Sequence, residues 1–352
     1  MPHIRACPED FIVEEIPLYP HLGYGPHTYL QVEKRLATTD AVARALARAA
    51  GVTPREVGFA GRKDRVAVAR QWFSIPDLDP ARARGIEIPG AQVLKVGRHP
   101  EKLRVGQLLG NRFHLVVREV GEEAARQARE TLSLLMRRGM PNRFGSQRFG
   151  WEGANVARGA EILRAQRISG DRRHALLMLS ALQSAVFNRV LARRAGCLDR
   201  LLPGDVALFH ETGTQFLVED PEAEATRLAT FEISPTGPIF GTKMKLPRGE
   251  VVALENEVMA EFDLPELQKL TVPRGVRLHG GRRALRVQPQ SVHSEWGNET
   301  LRLEFELPAG SYATVLLEEL FPDDLVDEAL RGPATSAPED ELPGIARPEE
   351  AG

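Results

Sequence analysis

The sequence predicts an α+β protein, with a larger unit of strands and helices and a smaller α/β unit within the chain. Three observations support this prediction. Leu301–Leu307 alternates apolar and charged residues with the period of two typical of a half-buried strand. Glu122–Arg138 and His174–Arg194 carry apolar stripes at helical spacing. Residues 203–290 hold many Gly and Pro residues between short strand-like runs, which indicates a separate small unit.

The other elements follow the same patterns along the chain. Phe11–Ile16 and Thr28–Lys34 are predicted strands, joined by a turn rich in Gly and Pro. A helix is predicted from a cap at Thr38 or Thr39 to about Ala50, where Gly51 ends it. The remaining predicted elements are strands at Trp72–Ile75 and Arg112–Val117, and a final helix from Ser311 through Leu320.

The net charge of -2 conceals an uneven distribution. Residues 1–150 hold 24 Lys and Arg against 16 Asp and Glu, a net of +8, whereas residues 318–352 hold 2 against 11, a net of -9. The first segment has the charge to meet a polyanion, and the last would repel one. The distribution is weak support on its own, because a charged stretch is more often only a solvated face.

Several classes of site have no pattern in the sequence. Cys7 and Cys197 are too few for a disulfide framework or a Cys-based zinc site, and the nine His residues are scattered. No glycine-rich dinucleotide motif and no apolar run of about 18 residues occur, and the N-terminus lacks the apolar region of a signal peptide. We therefore expect a cytoplasmic protein that uses no metal or cofactor and does not span a membrane.

One carboxylate has a setting typical of a reactive group. Asp64 lies within the basic run Arg62–Arg65, inside the Gly-containing segment Gly58–Gln71. Glycine lets backbone approach a bulky ligand, and flanking cations favour the ionised carboxylate that a nucleophile requires. The alternative is a surface turn with a local ion pair, which the spacing alone favours.

A second segment, Asn142–Gly150, combines aromatic, cationic and amide side chains. Such a combination holds single-stranded or flipped RNA bases by stacking, phosphate contact and base-edge hydrogen bonds. The candidates are Phe144 and Phe149 for stacking, Arg143 and Arg148 for phosphates, and Asn142 and Gln147 for base edges. The alternative is that the two Phe side chains fill a core at a domain junction. That alternative is favoured for Phe149, whereas a functional role is favoured for Phe144.

These segments together resemble the tRNA pseudouridine synthase D (TruD) family. The resemblance covers about residues 10–320 in the family's order and departs from it at Arg143 and after about Phe321. It rests on the following segments: Asp10–Glu15, Gly25–Lys34, Gly58–Arg65, Asn142–Gly150, Leu179–Leu191, Gly237–Gly241 and Phe305–Thr314.

The resemblance implies a fold and a division into domains. The fold is a pseudouridine synthase core, a mixed, mostly antiparallel sheet flanked by helices, with a smaller TruD-specific domain inserted. The catalytic core would span residues 1–164 and return at 289–331, around the inserted domain at 165–288. Residues 332–352, rich in Pro, Glu, Ala and Gly, are expected to form a disordered acidic tail.

The resemblance also implies an activity, the isomerisation of uridine 13 in the D arm of tRNA without a cofactor. Asp64 falls on the family's catalytic aspartate. We assign Phe144 to stacking on the base and Asn142 to orienting the loop or the base. Lys63, Arg65 and Arg148 would hold phosphates or position Asp64, and Gln147 would read a base edge. Lys34 and His27 are weaker candidates for RNA contact.

Two other hypotheses remain open on the sequence. A non-catalytic RNA-binding protein on the same scaffold would share the basic and aromatic segments, but Asp64 favours an enzyme. A carboxylate-dependent hydrolase usually needs two carboxylates, and only Asp64 has a site-like setting. The expected partner is tRNA, with no protein partner and a monomeric state.

Overall fold

The structure is a computed structural model that describes residues 1–19, 22–168, 170–322 and 325–330. The side chains of Gln147 and Leu330 are also outside the description. The predicted tail at residues 332–352 lies outside the described residues, so its predicted disorder stays a prediction.

Strands occur along almost the whole described chain. They are β1 (His3–Ile4), β2 (Phe11–Pro17), β3 (His27–Arg35), β4 (Gly58–Phe59), β5 (Val68–Pro76), β6 (Ala91–His99), β7 (Leu108–Arg118), β8 (Met140–Pro141), β9 (Val206–Phe209), β10 (Gln215–Leu217), β11 (Ile233–Ile239), β12 (Gly281–Ala284), β13 (Arg286–Val287), β14 (Gln290–Gly297), β15 (Thr300–Pro308) and β16 (Val326–Asp327).

The α-helices are interleaved with these strands. They are α1 (Thr39–Ala50), α2 (Pro80–Arg84), α3 (Glu122–Arg138), α4 (Ala154–Ala165), α5 (Arg172–Arg193), α6 (Ala225–Ala229), α7 (Gly249–Glu261) and α8 (Ala313–Leu320). The Thr38 hydroxyl caps α1 and Gly51 ends it in the left-handed conformation, as the sequence predicts.

The main sheet has the order β14-β15-β7-β2-β5-β3-β6, with β1, β16 and β4 paired at its margins. The pairs are antiparallel except for β2 with β5 and β1 with β16. The predicted mixed, mostly antiparallel sheet with flanking helices is therefore confirmed. Both ends of the described chain build this sheet, because β14 to β16 return to it after a long excursion.

Apolar alternation explains how the sheet is covered. In β15, the side chains of Leu301, Leu303, Phe305 and Leu307 are buried, as the predicted strand requires. They join a core that includes the buried stripe of α3 and the apolar side chains of α8. Burial of such side chains stabilises the fold by about 1.5–3 kcal/mol each.

The excursion between β8 and β13 forms a second unit. Its sheet has the order β10-β9-β11-β12 and packs with α5, whose apolar face shares a core with α4 and α7. The short pair β13 and β8 lies where the chain re-enters the main unit. All strands of the second sheet lie between residues 206 and 284, and the predicted boundaries at 165 and 288 stay a prediction.

α5 is long and apolar enough to cross a membrane on length and composition alone. However, 61% of its apolar window is buried inside the protein, as for the core helix of a folded unit. No other helix of the described residues passes the same test.

Candidate active site

Asp64 lies on the loop between β4 and β5, and side chains beneath this loop fix its course. The Thr39 hydroxyl accepts a 3.0 Å hydrogen bond from the Lys63 backbone and donates one of 2.8 Å to Gln71 Oε1. Gln71 Nε2 in turn donates to the Gly61 carbonyl at 3.3 Å. Gln71 is fully buried, so it braces the Asp64 loop from within the protein.

Lys34 supports the same loop from within the protein. Its side chain is fully buried, and Nζ donates to the carbonyl of Asp64 at 2.7 Å and to that of Ala37 at 2.8 Å. Burial lowers the pKa of Lys34 to about 8, while the charge of Asp64 opposes that shift and the charge of Lys63 adds to it. This conformation places Lys34 beneath Asp64 rather than on an RNA-facing surface.

Lys63 is also turned inward, away from any phosphate outside the fold. Its side chain is 6% exposed, and Nζ lies 3.4 Å from Glu15 Oε2 and donates to Asn111 Oδ1. Burial raises the pKa of Glu15 and lowers that of Lys63, and the attraction between the two charges opposes both shifts. Of the two roles predicted for Lys63, this geometry supports positioning the loop.

The Asp64 carboxylate itself faces a buried cation. Its side chain is 47% exposed, and Oδ2 accepts a 3.2 Å hydrogen bond from Arg5 Nη2. Arg5 is 2% exposed, stands 4.1 Å over the Phe11 ring and pairs at 2.8 Å with Asp327. Asp64 Oδ1 makes no hydrogen bond to the described residues, so one carboxylate oxygen is available to a ligand.

Asp64 and the Asn142–Gly150 segment meet at one cavity of about 290 Å³. Gly145 and Ser146 line it from the second segment, and Tyr312 lies between this cavity and Phe144. The structure thus brings together the two segments that the sequence singled out. The full lining is Ile4, Arg5, Asp64, Gly145, Ser146, Tyr312, Thr314, Glu318, Phe321, Pro322, Leu325 and Asp327.

Phe144 is partly buried at the junction of the two units. Its ring packs edge-on against Phe187, with centroids 5.5 Å apart, and lies 6.4 Å from Tyr312. The guanidinium of Arg283 stands 4.3 Å from its centroid and that of Arg148 stands 5.0 Å from it. The Phe144 ring therefore already takes part in cation-π contacts, and a stacked base would have to replace one of these cations.

Asn142 holds the loop that carries Phe144. Its Nδ2 donates to the Ala284 carbonyl at 2.9 Å, and its Oδ1 accepts from the Ser311 hydroxyl at 3.2 Å and from Arg283. Both ends of the buried amide are thus occupied. Of the two roles predicted for Asn142, the geometry supports orienting the loop.

Arg148 and Arg283 are cations with no carboxylate partner among the described residues. Arg148 donates to the hydroxyls of Ser184 at 2.7 Å and Ser180 at 2.6 Å. Arg283 donates to the Asn142 carbonyl at 3.0 Å and to that of Gly310 at 2.8 Å. Burial, with the charge of Arg148 adding to it, lowers the pKa of Arg283 to about 10. Both line a second cavity of about 390 Å³, where an anion would meet two positive charges.

The remaining predicted residues are dispersed. Arg65 is exposed and has no hydrogen bond or ion pair with the described residues, while Arg143 is paired with Glu318 at 2.7 Å. His27 begins β3 and Lys34 lies near its other end, about 23 Å away at the rise of a strand. The structure therefore does not bring His27 to Asp64. The side chain of Gln147 lies outside the described residues.

Sequence reasoning missed Arg5, Asp327, Tyr312 and Arg283. The available signal was strongest for Arg283, because two adjacent arginines occupy the middle of the short strand β12. Its neighbour Arg282 is buried and pairs with Glu255, which leaves Arg283 as the unpaired cation of the two. In the described part of the chain, no group of three or more His, Cys, Asp or Glu side chains is arranged to hold a metal ion.

Comparison with known proteins gives a consistent result. The model of the family tRNA pseudouridine synthase D (TruD) matches residues 2–168 and 171–320. A tRNA pseudouridine synthase D from Anaeromyxobacter dehalogenans is 44% identical, with 91% of this chain and 93% of the relative aligned. The protein of the same name from Thermus thermophilus is 41% identical, with 96% of this chain and 92% of the relative aligned.

A solved structure with the same overall arrangement comes from Methanosarcina mazei, also under the name tRNA pseudouridine synthase D. It superposes with a TM-score of 0.70, covers 91% of this chain and 93% of its own, and is 23% identical in sequence. At that identity the likeness shows the fold.

Proposed function

We propose, for this chain that belongs to the tRNA pseudouridine synthase D family, that Asp64 is the catalytic carboxylate and that uridine 13 of the D arm is the target. The chain is an isomerase that forms pseudouridine in tRNA, as its family membership shows. The observation that supports Asp64 is its position at a cavity shared with the Asn142–Gly150 segment, with one carboxylate oxygen unengaged by the described residues. The choice of uridine 13 rests on the resemblance of the motifs alone.

The reaction breaks the N1–C1′ bond of uridine, turns the uracil and joins C5 to C1′. Atoms and electrons balance within the substrate, so the isomerisation itself calls for no oxidant, reductant or group donor. Cleavage of the glycosidic bond builds positive charge on the sugar, which a nearby carboxylate stabilises. Asp64 fits this task whether it acts by charge, by attack on the sugar or base, or by removing a sugar proton.

The uridine must leave its stack to reach Asp64, which costs a few kcal/mol and is offset by contacts in the site. We assign one such contact to Phe144. The uracil would stack on its ring in the place that the Arg283 guanidinium now occupies. Asn142 would keep the Phe144 loop in place through its bonds to Ala284 and Ser311.

Phosphates of the same strand would meet the cations of the second cavity. Arg148 and Arg283 have only neutral partners among the described residues, so a phosphate bound there would supply the negative charge that these partners lack. The exposed Arg65 next to Asp64 would contribute a further, looser phosphate contact. We further propose that the protein acts in the cytoplasm as a monomer on tRNA, without a protein partner.

The decisive experiment maps pseudouridine on tRNA transcripts incubated with purified wild type, Asp64→Asn and Asp40→Asn. Asp40 is a matched control, because it is a half-exposed carboxylate on α1 that pairs with Arg62, a residue of the loop that carries Asp64. We expect pseudouridine at position 13 with wild type and Asp40→Asn, and none with Asp64→Asn, which should still bind tRNA. Wild-type rates in Asp64→Asn would exclude Asp64, and product at another position would exclude uridine 13.

The same samples separate an enzyme from a non-catalytic RNA-binding protein. Salt-sensitive tRNA binding by the wild type with no pseudouridine at any position would favour the binding protein. Formation of pseudouridine on any transcript would exclude it.

A further inference from the structure

The C-terminal part of the described chain returns to the Asp64 cavity. β16 pairs in parallel with β1, with His3 opposite Val326 and Ile4 opposite Asp327. This segment follows Leu320, the last residue of the family match. Four of its residues, Phe321, Pro322, Leu325 and Asp327, nevertheless line the cavity that holds Asp64.

The pairing of β1 with β16 places Arg5 between two carboxylates. Arg5 follows β1 directly, and its backbone adopts a left-handed φ of 60°, a conformation that costs a non-glycine residue about 1 kcal/mol or more. Its guanidinium is buried over Phe11 and must be paired to be tolerated there. Asp327 at 2.8 Å and Asp64 at 3.2 Å are its two carboxylate partners among the described residues.

The two carboxylates share Arg5 unequally. Asp327 is 15% exposed and uses both oxygens, Oδ2 with Arg5 Nη1 and Oδ1 with the Ala329 backbone N–H at 3.1 Å. Asp64 is three times as exposed, at 47%, and uses only Oδ2, with Arg5 Nη2. Asp327 is therefore the fixed partner of the guanidinium, and Asp64 is the partner that can engage a ligand.

We infer that Asp327 is a positioning residue for the reaction, because it anchors one nitrogen of Arg5 so that a single N–H is presented to Asp64. The inference rests on the proposed function, in which Asp64 is the catalytic carboxylate. It extends the functional site into the segment beyond the family match and gives the β1–β16 pairing a role in catalysis.

Loss of the Asp327 charge would change what Arg5 does to Asp64. A buried guanidinium freed on one side favours a bidentate pair with the carboxylate that remains, since two parallel N–H donors match two oxygens. Such a pair would occupy Asp64 Oδ1 as well as Oδ2 and draw the carboxylate away from the substrate. The chemical step would slow, while tRNA contacts elsewhere would persist.

The test is single-turnover and steady-state kinetics on tRNA with Asp327→Asn, which removes the charge but keeps the size and the Oδ1 acceptor. We expect kcat to fall about 10- to 100-fold, the range that misplacement of a reacting group costs, with KM little changed. Asp327→Glu should recover part of the rate. Glu130→Gln, which removes an exposed carboxylate on α3 outside the cavity lining, should match the wild type.

A double-mutant cycle with Arg5→Lys distinguishes positioning from a general effect on the fold. If Asp327 acts through Arg5, Asp327→Asn should cost much less rate in the Arg5→Lys background than in the wild type. Melting temperatures of all variants identify any that fail to fold, and Asp327→Ser, which also removes the charge, replaces Asp327→Asn if that variant unfolds.

Two outcomes would overturn the inference: an unchanged kcat in Asp327→Asn, whether or not KM changes, or fully additive effects in the cycle. A lower KM at unchanged kcat would mean that Asp327 only repels RNA. Each of these leaves the proposed function intact as long as Asp64→Asn is inactive. Wild-type activity in Asp64→Asn would instead remove the proposed function and, with it, the premise of this inference.

Discussion

The ammonium group of Lys34 donates a 2.7 Å hydrogen bond to the backbone carbonyl of Asp64, from a side chain that is fully buried. The loop that carries the carboxylate is thus held from below by a cation whose burial is energetically unfavourable. Its second bond, to the Ala37 carbonyl, ties the same ammonium to the chain just after β3. The Asp64 loop is therefore held by a group that loses its charge as the pH rises through about 8.

The Lys34 site predicts a pH dependence of stability. Its pKa falls from 10.5 to about 8 on folding, mainly through burial, so between those values the unfolded state binds more protons than the folded state. The unfolding free energy of wild type relative to Lys34→Met should therefore rise with pH, by about 1–2 kcal/mol between pH 7.5 and 9.5. Urea unfolding across this range measures it. Exposed Lys95 on β6 supplies the control Lys95→Met, and parallel curves for wild type and Lys34→Met would contradict the prediction.

Phe144 gives a prediction about activity rather than stability. Phe144→Leu keeps apolar volume at the unit junction but removes the ring, so kcat/KM should fall about 10-fold or more, in line with the 1–3 kcal/mol of base stacking. The comparison variant is Phe187→Leu, at a fully buried ring that packs on Phe144, which should chiefly lower the melting temperature. Equal losses of stability in the two variants, with activity following the folded fraction, would make Phe144 a core residue.

The unpaired cations predict a salt effect. Arg148→Gln and Arg283→Gln should each lower the slope of log affinity for tRNA against log salt by about 1, because each would remove one phosphate contact. Arg126→Gln is the control, since Arg126 is exposed on α3 and already paired with Glu123 and Glu130. Fluorescence anisotropy over a salt series measures the slopes. Slopes equal to that of the wild type in both variants would exclude a phosphate at the second cavity.

The sequence predicted the elements whose pattern is local. The alternation in Leu301–Leu307 and the apolar stripe of Glu122–Arg138 are set by which face is buried, so each could be assigned without its neighbours. The composition of the Asn142–Gly150 segment suits neither a core nor a plain solvated surface, and the Asp64 segment stands out because a single carboxylate lies in a basic, Gly-containing run. Their meeting at one cavity was implied by the family resemblance and not by any spacing.

What the sequence did not predict depends on contacts between distant parts of the chain. Arg5 and Asp327 come from the two ends of the described chain and meet through the pairing of β1 with β16. Lys63 and Arg65 are two positions apart in one basic run, yet Lys63 is buried against Glu15 and Arg65 is exposed. Neither the direction of a side chain in a loop nor its burial follows from charge patterning.

The Lys63–Glu15 pair supplies the last prediction, which asks whether Lys63 supports the loop or binds RNA. Lys63→Met leaves the Glu15 carboxylate buried without its cation, so the unfolding free energy should fall by about 3 kcal/mol. The double variant Lys63→Met with Glu15→Leu removes both charges and should recover part of that loss, because an apolar pair of similar volume replaces a buried ion pair at little cost. The recovery is incomplete because the Trp72 backbone N–H loses its Glu15 acceptor.

Because the Lys63 side chain is 6% exposed, neither variant should alter the salt slope of tRNA binding as long as the protein is folded. Denaturant unfolding and the anisotropy series together distinguish a role of Lys63 in stability from a role in RNA binding. A reduced salt slope in Lys63→Met with an unchanged unfolding free energy would mean that Lys63 turns outward to a phosphate when tRNA binds. Recovery of stability in the double variant would instead establish that the loss in Lys63→Met comes from the Glu15 carboxylate left buried without its cation, and that Lys63 acts through Glu15.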